Sequence, residues 1–112
     1  MQPVLVILAV LIAGCGRAVP SVAAGRELYQ AHGCGSCHGP LGHGDGPIAG
    51  NLPSKPIDFR DASAFKGGSS EAAVADTLVD DPSMPKFDHL TEIERRSIAL
   101  YVVSMQTNPG YL

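Results

Sequence analysis

Hydrophobic positions along the chain fall into four stretches, and they differ in kind. Val4 to Ala13 is an unbroken apolar run of ten residues. As a helix it would rise about 15 Å, half of a bilayer core of about 30 Å, so it is too short for a transmembrane span. It fits the apolar region of an export signal, although Met1-Gln2-Pro3 before it carries no Lys or Arg. Next, Val22, Gly25, Leu28 and Tyr29 recur at helical spacing after Ser21, a good N-cap, and Gly33 ends the pattern. A third helix-like stretch runs from Glu71 to Val79, capped by Ser69 or Ser70 and stopped by Pro82. The fourth opens with Thr91-Glu92-Ile93-Glu94, a capping box, and continues to about Gln106 before Asn108-Pro109-Gly110. Its second half, Ile98 to Val103, is apolar all round and should be buried on most sides. No segment alternates with period two, so strands are not expected. The class predicted is all-α.

Between these stretches, Gly33 to Pro56 spans 24 residues with 7 Gly and 4 Pro and shows no periodicity. A loop of that length needs a function or a ligand to order it. Composition sharpens this point. The 112 residues include 13 Gly and 9 Pro but no Trp, so the core lacks bulky groups. A chain this small usually leans on a disulfide, a metal or a cofactor. Three cysteines cannot all pair with one another, which argues against a disulfide framework. Net charge is −3, with no clustered basic surface, so nucleic acid is not an expected partner.

Cys34-Gly35-Ser36-Cys37-His38 is the motif that carries chemistry. C-x-x-C-H places two thiols one helical turn apart, where both can add to the vinyl groups of one haem, and sets the next residue under the iron. A thioredoxin-like redox pair needs a βαβ setting that is absent, and a zinc site lacks a second Cys pair. Cys34 and Cys37 are therefore the expected thioether positions and His38 an axial ligand. Met84, in Asp81-Pro82-Ser83-Met84-Pro85, is the candidate sixth ligand, because a loop held by prolines can present a thioether at little entropic cost. Met105 shares a helix face with Ile98, Tyr101 and Val102 and reads as core, so it comes after Met84 as a candidate. His32 is too near the attachment point to reach the far side of a haem, and His43 and His89 read as solvated.

These features together resemble a class I monohaem cytochrome c of the small bacterial type, over about Ser21 to Gln106. Gly25 and Tyr29 match that family's first-helix pair, and Leu100-Tyr101 its last-helix positions. Cys37-His38-Gly39-Pro40-Leu41-Gly42-His43-Gly44-Asp45-Gly46-Pro47 resembles the C-H-G-x-x-G-x-G-D-G-P run of many bacterial members. The resemblance implies three to five helices around one covalently attached haem c, with the first and last helices crossing closely at the glycine. It implies an electron carrier rather than an enzyme, passing single electrons between a redox protein donor and acceptor. The alternatives are a haem sensor or peroxidase-like enzyme with a labile sixth ligand, or a fixed electron-entry subunit of a larger oxidoreductase. Arg60 and Lys55 are candidates to meet the propionates. Asp76, Asp80 and Asp81, just before Pro82-Ser83-Met84, form an acidic rim expected to steer a basic partner in a salt-dependent way.

At the other end, Leu11-Ile12-Ala13-Gly14-Cys15 resembles the lipobox of bacterial lipoproteins, where the cysteine is lipidated and becomes the new N-terminus. This implies a lipoprotein-type signal peptide over 1–14, a lipidated tether over 15–20 and a cytochrome c domain over 21–112. The expected location is the periplasmic side, anchored to a membrane through lipid at Cys15; ordinary cleavage after Val22-Ala23-Ala24 would instead leave a soluble periplasmic protein.

Overall fold

The computed structural model describes residues 18–106. Cys15 and the apolar run before it lie outside those residues. Four α-helices follow in order: α1 (Val22–Ala31), α2 (Gly35–His38), α3 (Glu71–Asp80) and α4 (Glu92–Ser104), with single 3-10 turns at Ala49–Asn51 and Ala62–Ala64. No strand occurs among the described residues. No helix among them is long and apolar enough to cross a membrane.

The helix starts are chemical. Ser21 accepts from the Ala24 N–H, Ser70 from the Ala73 N–H, and Thr91 from the Glu94 N–H while Glu94 returns to the Thr91 N–H. α1 stops where Gly33 takes a positive φ of 70°, which turns the chain directly into the Cys34–His38 segment.

α4 is the central element, packed against α1 on one side and α3 on another. Its residues Ile98, Ala99 and Val102 are buried, together with Tyr29 of α1, Val74, Ala75 and Leu78 of α3, and Phe59 and Leu90 from loops. α1 and α4 cross at Gly25. A β-carbon there would run into the Ser97 carbonyl and the Tyr101 side chain, so only glycine permits this approach. Among the described residues Ser97 is the one buried polar residue of the core, at 1% exposure, and it is used: its hydroxyl accepts from the Ser21 N–H at 3.1 Å. Tyr29 then meets Tyr101 edge to face, with ring centres 5.3 Å apart. The expected crossing of first and last helix is thus present, with the Ser97 backbone nearer to Gly25 than the aromatic ring.

Candidate functional site

Cys34 ends the turn that follows α1, and Gly35 to His38 close one short helical turn. That turn exposes carbonyls at its C-terminal end, and the glycine-rich loop supplies their partners. The Ile48, Gly46 and Gly44 N–H groups donate in succession to the Ser36, Cys37 and His38 carbonyls at 3.0, 3.0 and 2.8 Å. The loop lies flat against the turn because Gly46 has no side chain; a β-carbon there would strike the Ser36 and Gly35 carbonyls. A further N–H, from Phe59, donates to the Gly42 carbonyl at 2.7 Å and folds the chain back under the loop. From α1, the Tyr29 hydroxyl donates to the Gly39 carbonyl at 2.6 Å. Burial pushes the Tyr29 phenol far above its usual range, so it remains a donor. The segment that reads as irregular in sequence is therefore a built clamp around Cys34–His38.

Both thiols are free and half-buried. Burial pushes the Cys34 thiol up to about 11, so it stays protonated at neutral pH. Redox-active C-x-x-C pairs lower a thiol instead, and among the described residues no strand precedes the motif as a thioredoxin-like setting requires. His38 stacks on Phe59, ring centres 4.5 Å apart and 26° from parallel. Burial lowers the pKa of His38, against smaller opposing effects of the Ile57 backbone and the Asp81 charge. A neutral imidazole is the form that binds a metal. Nδ1 is buried with no hydrogen-bond partner. The Ile57 backbone is the polar group that acts on the ring, but it does not complete a hydrogen bond at Nδ1.

Further along the chain, α3 ends at Asp80 and the chain turns through Asp81-Pro82-Ser83-Met84. One Asp81 carboxylate oxygen accepts from the Ser83 N–H at 2.8 Å and from the Ser83 hydroxyl at 2.6 Å. This local turn lowers the Asp81 pKa below the usual carboxylate range. Beyond Met84, the Phe87 N–H donates to the Leu78 carbonyl at 2.9 Å and returns the chain to α3. Met84 itself is half-buried and packs on the core.

Met105 is elsewhere: a β-carbon at Gly42 would meet its sulfur and the Phe59 ring, which puts the Met105 sulfur in packing beneath the glycine loop. His32 and His43 are half-buried, and His89 is exposed. Arg60 is held by Asp58 across a 2.6 Å ion pair, and Lys55 is exposed beside a shallow hollow with Gly44 and Ala49. Neither that hollow nor one along α1 is lined by Cys34, Cys37, His38 or Met84. Of the acidic rim residues, Asp76 and Asp80 are exposed, and Asp81 is half-buried with its carboxylate bonded to Ser83. Sequence reasoning missed the parts played by Asp81, Ile57 and Phe59. For Asp81 a signal existed, since Asp-x-Ser after a helix is a turn-forming pattern.

The donors fit a haem c. Two half-buried thiols sit on one turn, an imidazole whose charged form burial disfavours follows them with one buried nitrogen unpartnered, and the turn before Met84 is held by its own hydrogen bonds.

Comparison with known proteins agrees. No curated protein matches the chain. Among solved structures, a chain of the reducing HAO-like protein complex of Kuenenia stuttgartiensis is similar, with 35% identity and a TM-score of 0.69 over 77% of this chain. This protein spans 44% of that chain's length. The family model for cytochrome c matches residues 22–106. With that match running from the first residue of α1 to just past the end of α4, the chain belongs to the cytochrome c family, whose members hold haem c covalently and transfer electrons.

Proposed function

We propose that this chain carries single electrons at one haem, held by thioethers at Cys34 and Cys37 and ligated by His38 and Met84. When bound, the haem supplies a one-electron couple between Fe(III) and Fe(II). The glycine-loop clamp fixes the attachment turn, and Phe59 fixes the plane of the His38 ring. The Asp81–Ser83 bonds hold the turn that presents Met84. With a ligand on each face, no position stays open for substrate, which favours transfer over catalysis at the iron. A thioether opposite an imidazole raises the potential relative to two imidazoles. The observation that carries this reading is a half-buried His38 with Nδ1 buried and unpartnered directly after Cys37, together with a half-buried Met84 packed on the core beyond a turn held by Asp81 and Ser83.

Carbon monoxide tests it. The reduced protein should leave carbon monoxide unbound at neutral pH; a carbonyl spectrum would point instead to a sensor or peroxidase-like site. Asp81→Ala should loosen the Met84 turn without touching the iron. Two hydrogen bonds to a charged acceptor are lost, and about 1.4 kcal/mol is tenfold in an equilibrium. The imidazole concentration that displaces Met84 should therefore fall by about tenfold, and an unchanged displacement curve would leave Asp81 without this role.

The anchored form of the proposal rests on the Leu11–Cys15 pattern. One acyl chain binds membranes only marginally, whereas a diacylglyceryl group holds firmly. Wild type should sediment with membranes on the periplasmic side, and Cys15→Ala should fail to be processed there. Recovery of wild type in the soluble periplasm without detergent would mean ordinary cleavage. A second reading, a fixed subunit of a larger oxidoreductase, is favoured by the similar solved chain, which comes from a protein complex. Detergent extraction followed by co-purification of a stoichiometric partner supports that form; a monomer after extraction supports the free carrier.

A further inference from the structure

Two histidines outside the attachment site are brought together by the fold, although 57 positions separate His32 from His89 in the sequence. Their ring centres lie 5.8 Å apart with the planes tilted by 57°. His89 is exposed and His32 half-buried, so solvent reaches the pair. Among the described residues neither imidazole is in an ion pair. Both are carried on fixed backbone. The His32 N–H caps α1 by donating to the Leu28 carbonyl at 2.9 Å. His89 sits in a tight turn between Phe87, bonded to Leu78 of α3, and Leu90, buried at 5% exposure with its carbonyl accepting from Arg95.

We infer that His32 and His89 form a two-ligand site for a divalent transition ion of the zinc, nickel and copper class. Imidazole nitrogens suit these ions, and carboxylate-loving magnesium and calcium do not fit the pair. The geometry is compatible. With the metal about 2.0–2.1 Å from each nitrogen and the ring centre about 1.1 Å beyond, two rings sharing one ion have centres about 4.5–6.3 Å apart. The observed 5.8 Å lies between the separations for ligands at right angles and for ligands opposite one another, so rotation of the two side chains would bring a nitrogen of each onto one ion. No group of three or more His, Cys, Asp or Glu is placed to hold a metal among the described residues, so water completes the shell. Pre-fixed backbone on both sides lowers the ordering cost that usually makes two-ligand surface sites weak. An ion here would also tie the turn leading into Cys34 to the segment that leaves Met84, two elements joined otherwise through the core. The inference does not depend on which residue is the sixth iron ligand.

Titration of untagged, haem-loaded protein with nickel chloride in a calorimeter tests this. One saturable site per chain is expected. His32→Gln and His89→Gln should each weaken it at least tenfold, because a chelate becomes a single ligand, while His43→Gln should leave it unchanged. Saturating nickel should raise the thermal midpoint of wild type and not of either His variant. Since His89 is exposed, His89→Gln keeps the test decisive even where His32→Gln folds poorly. Absence of saturable binding, or equal affinity in His89→Gln, would overturn the inference and leave the pair as packing against Phe87.

Discussion

Replacing Met84 with alanine is expected to abolish the weak sulfur-to-iron band of the oxidised protein and to lower its reduction potential. Axial ligands span about 0.8 V across haem proteins, and loss of a thioether should move the potential down by roughly 100–200 mV within that span. The same variant should gain carbon monoxide binding in the reduced state, since it opens a coordination position. Met105→Ala should leave band and potential in place, because its sulfur is engaged under the glycine loop at Gly42 and Phe59. If the band survives in Met84→Ala and vanishes in Met105→Ala, the ligand assignment is reversed.

The largest structural effect is expected at Gly25. In a helix interior alanine is favoured over glycine by about 1 kcal/mol. Here the added methyl group would meet the Ser97 carbonyl and force α1 away from α4. Overpacking of a fitted interface costs about 1–3 kcal/mol, and a backbone neighbour cannot rotate aside as a side chain can. Gly25→Ala should therefore destabilise the protein by about 2 kcal/mol despite its better propensity. Displacing Tyr29 along with α1 should also weaken its 2.6 Å bond to the Gly39 carbonyl, beside the attachment turn. Gly50 is the control: a β-carbon there meets nothing within 4 Å, so Gly50→Ala should be close to neutral. Urea midpoints of the two variants check the contrast, and equal midpoints would remove the close crossing as a source of stability.

Features written in short-range chemistry were legible from residues alone. Ser21 and the Thr91–Glu94 capping box mark helix starts because an N-cap is a contact across three residues. C-x-x-C-H marks its turn for the same reason, since both thiols and the imidazole must fall within five positions. The Gly25–Tyr29 pairing with the last helix was legible only through resemblance, since nothing local says what a glycine approaches. The loop from Gly33 to Pro56 was opaque. Its order comes from backbone N–H groups of Gly44, Gly46 and Ile48 reaching back to Ser36, Cys37 and His38, and such bonds leave no periodicity. Gly44 and Gly46 there mark close approach to carbonyls rather than slackness. Asp81 read as a surface charge because its position after a helix fits both a rim and a turn; its two bonds to Ser83 show the turn. The meeting of His32 with His89 was invisible, since it follows from how α3 and α4 bring the Met84 segment back beside the end of α1.

The central claim is covalent attachment of one haem through Cys34 and Cys37, and intact mass after acid–acetone extraction tests it most directly. Extraction removes a haem held only by coordination and leaves one held by thioethers. The account predicts a polypeptide carrying the mass of one haem in wild type, and its loss from the Cys34→Ser/Cys37→Ser double variant. A wild-type mass equal to the bare polypeptide, from protein matured in a host that attaches haem c, would contradict it.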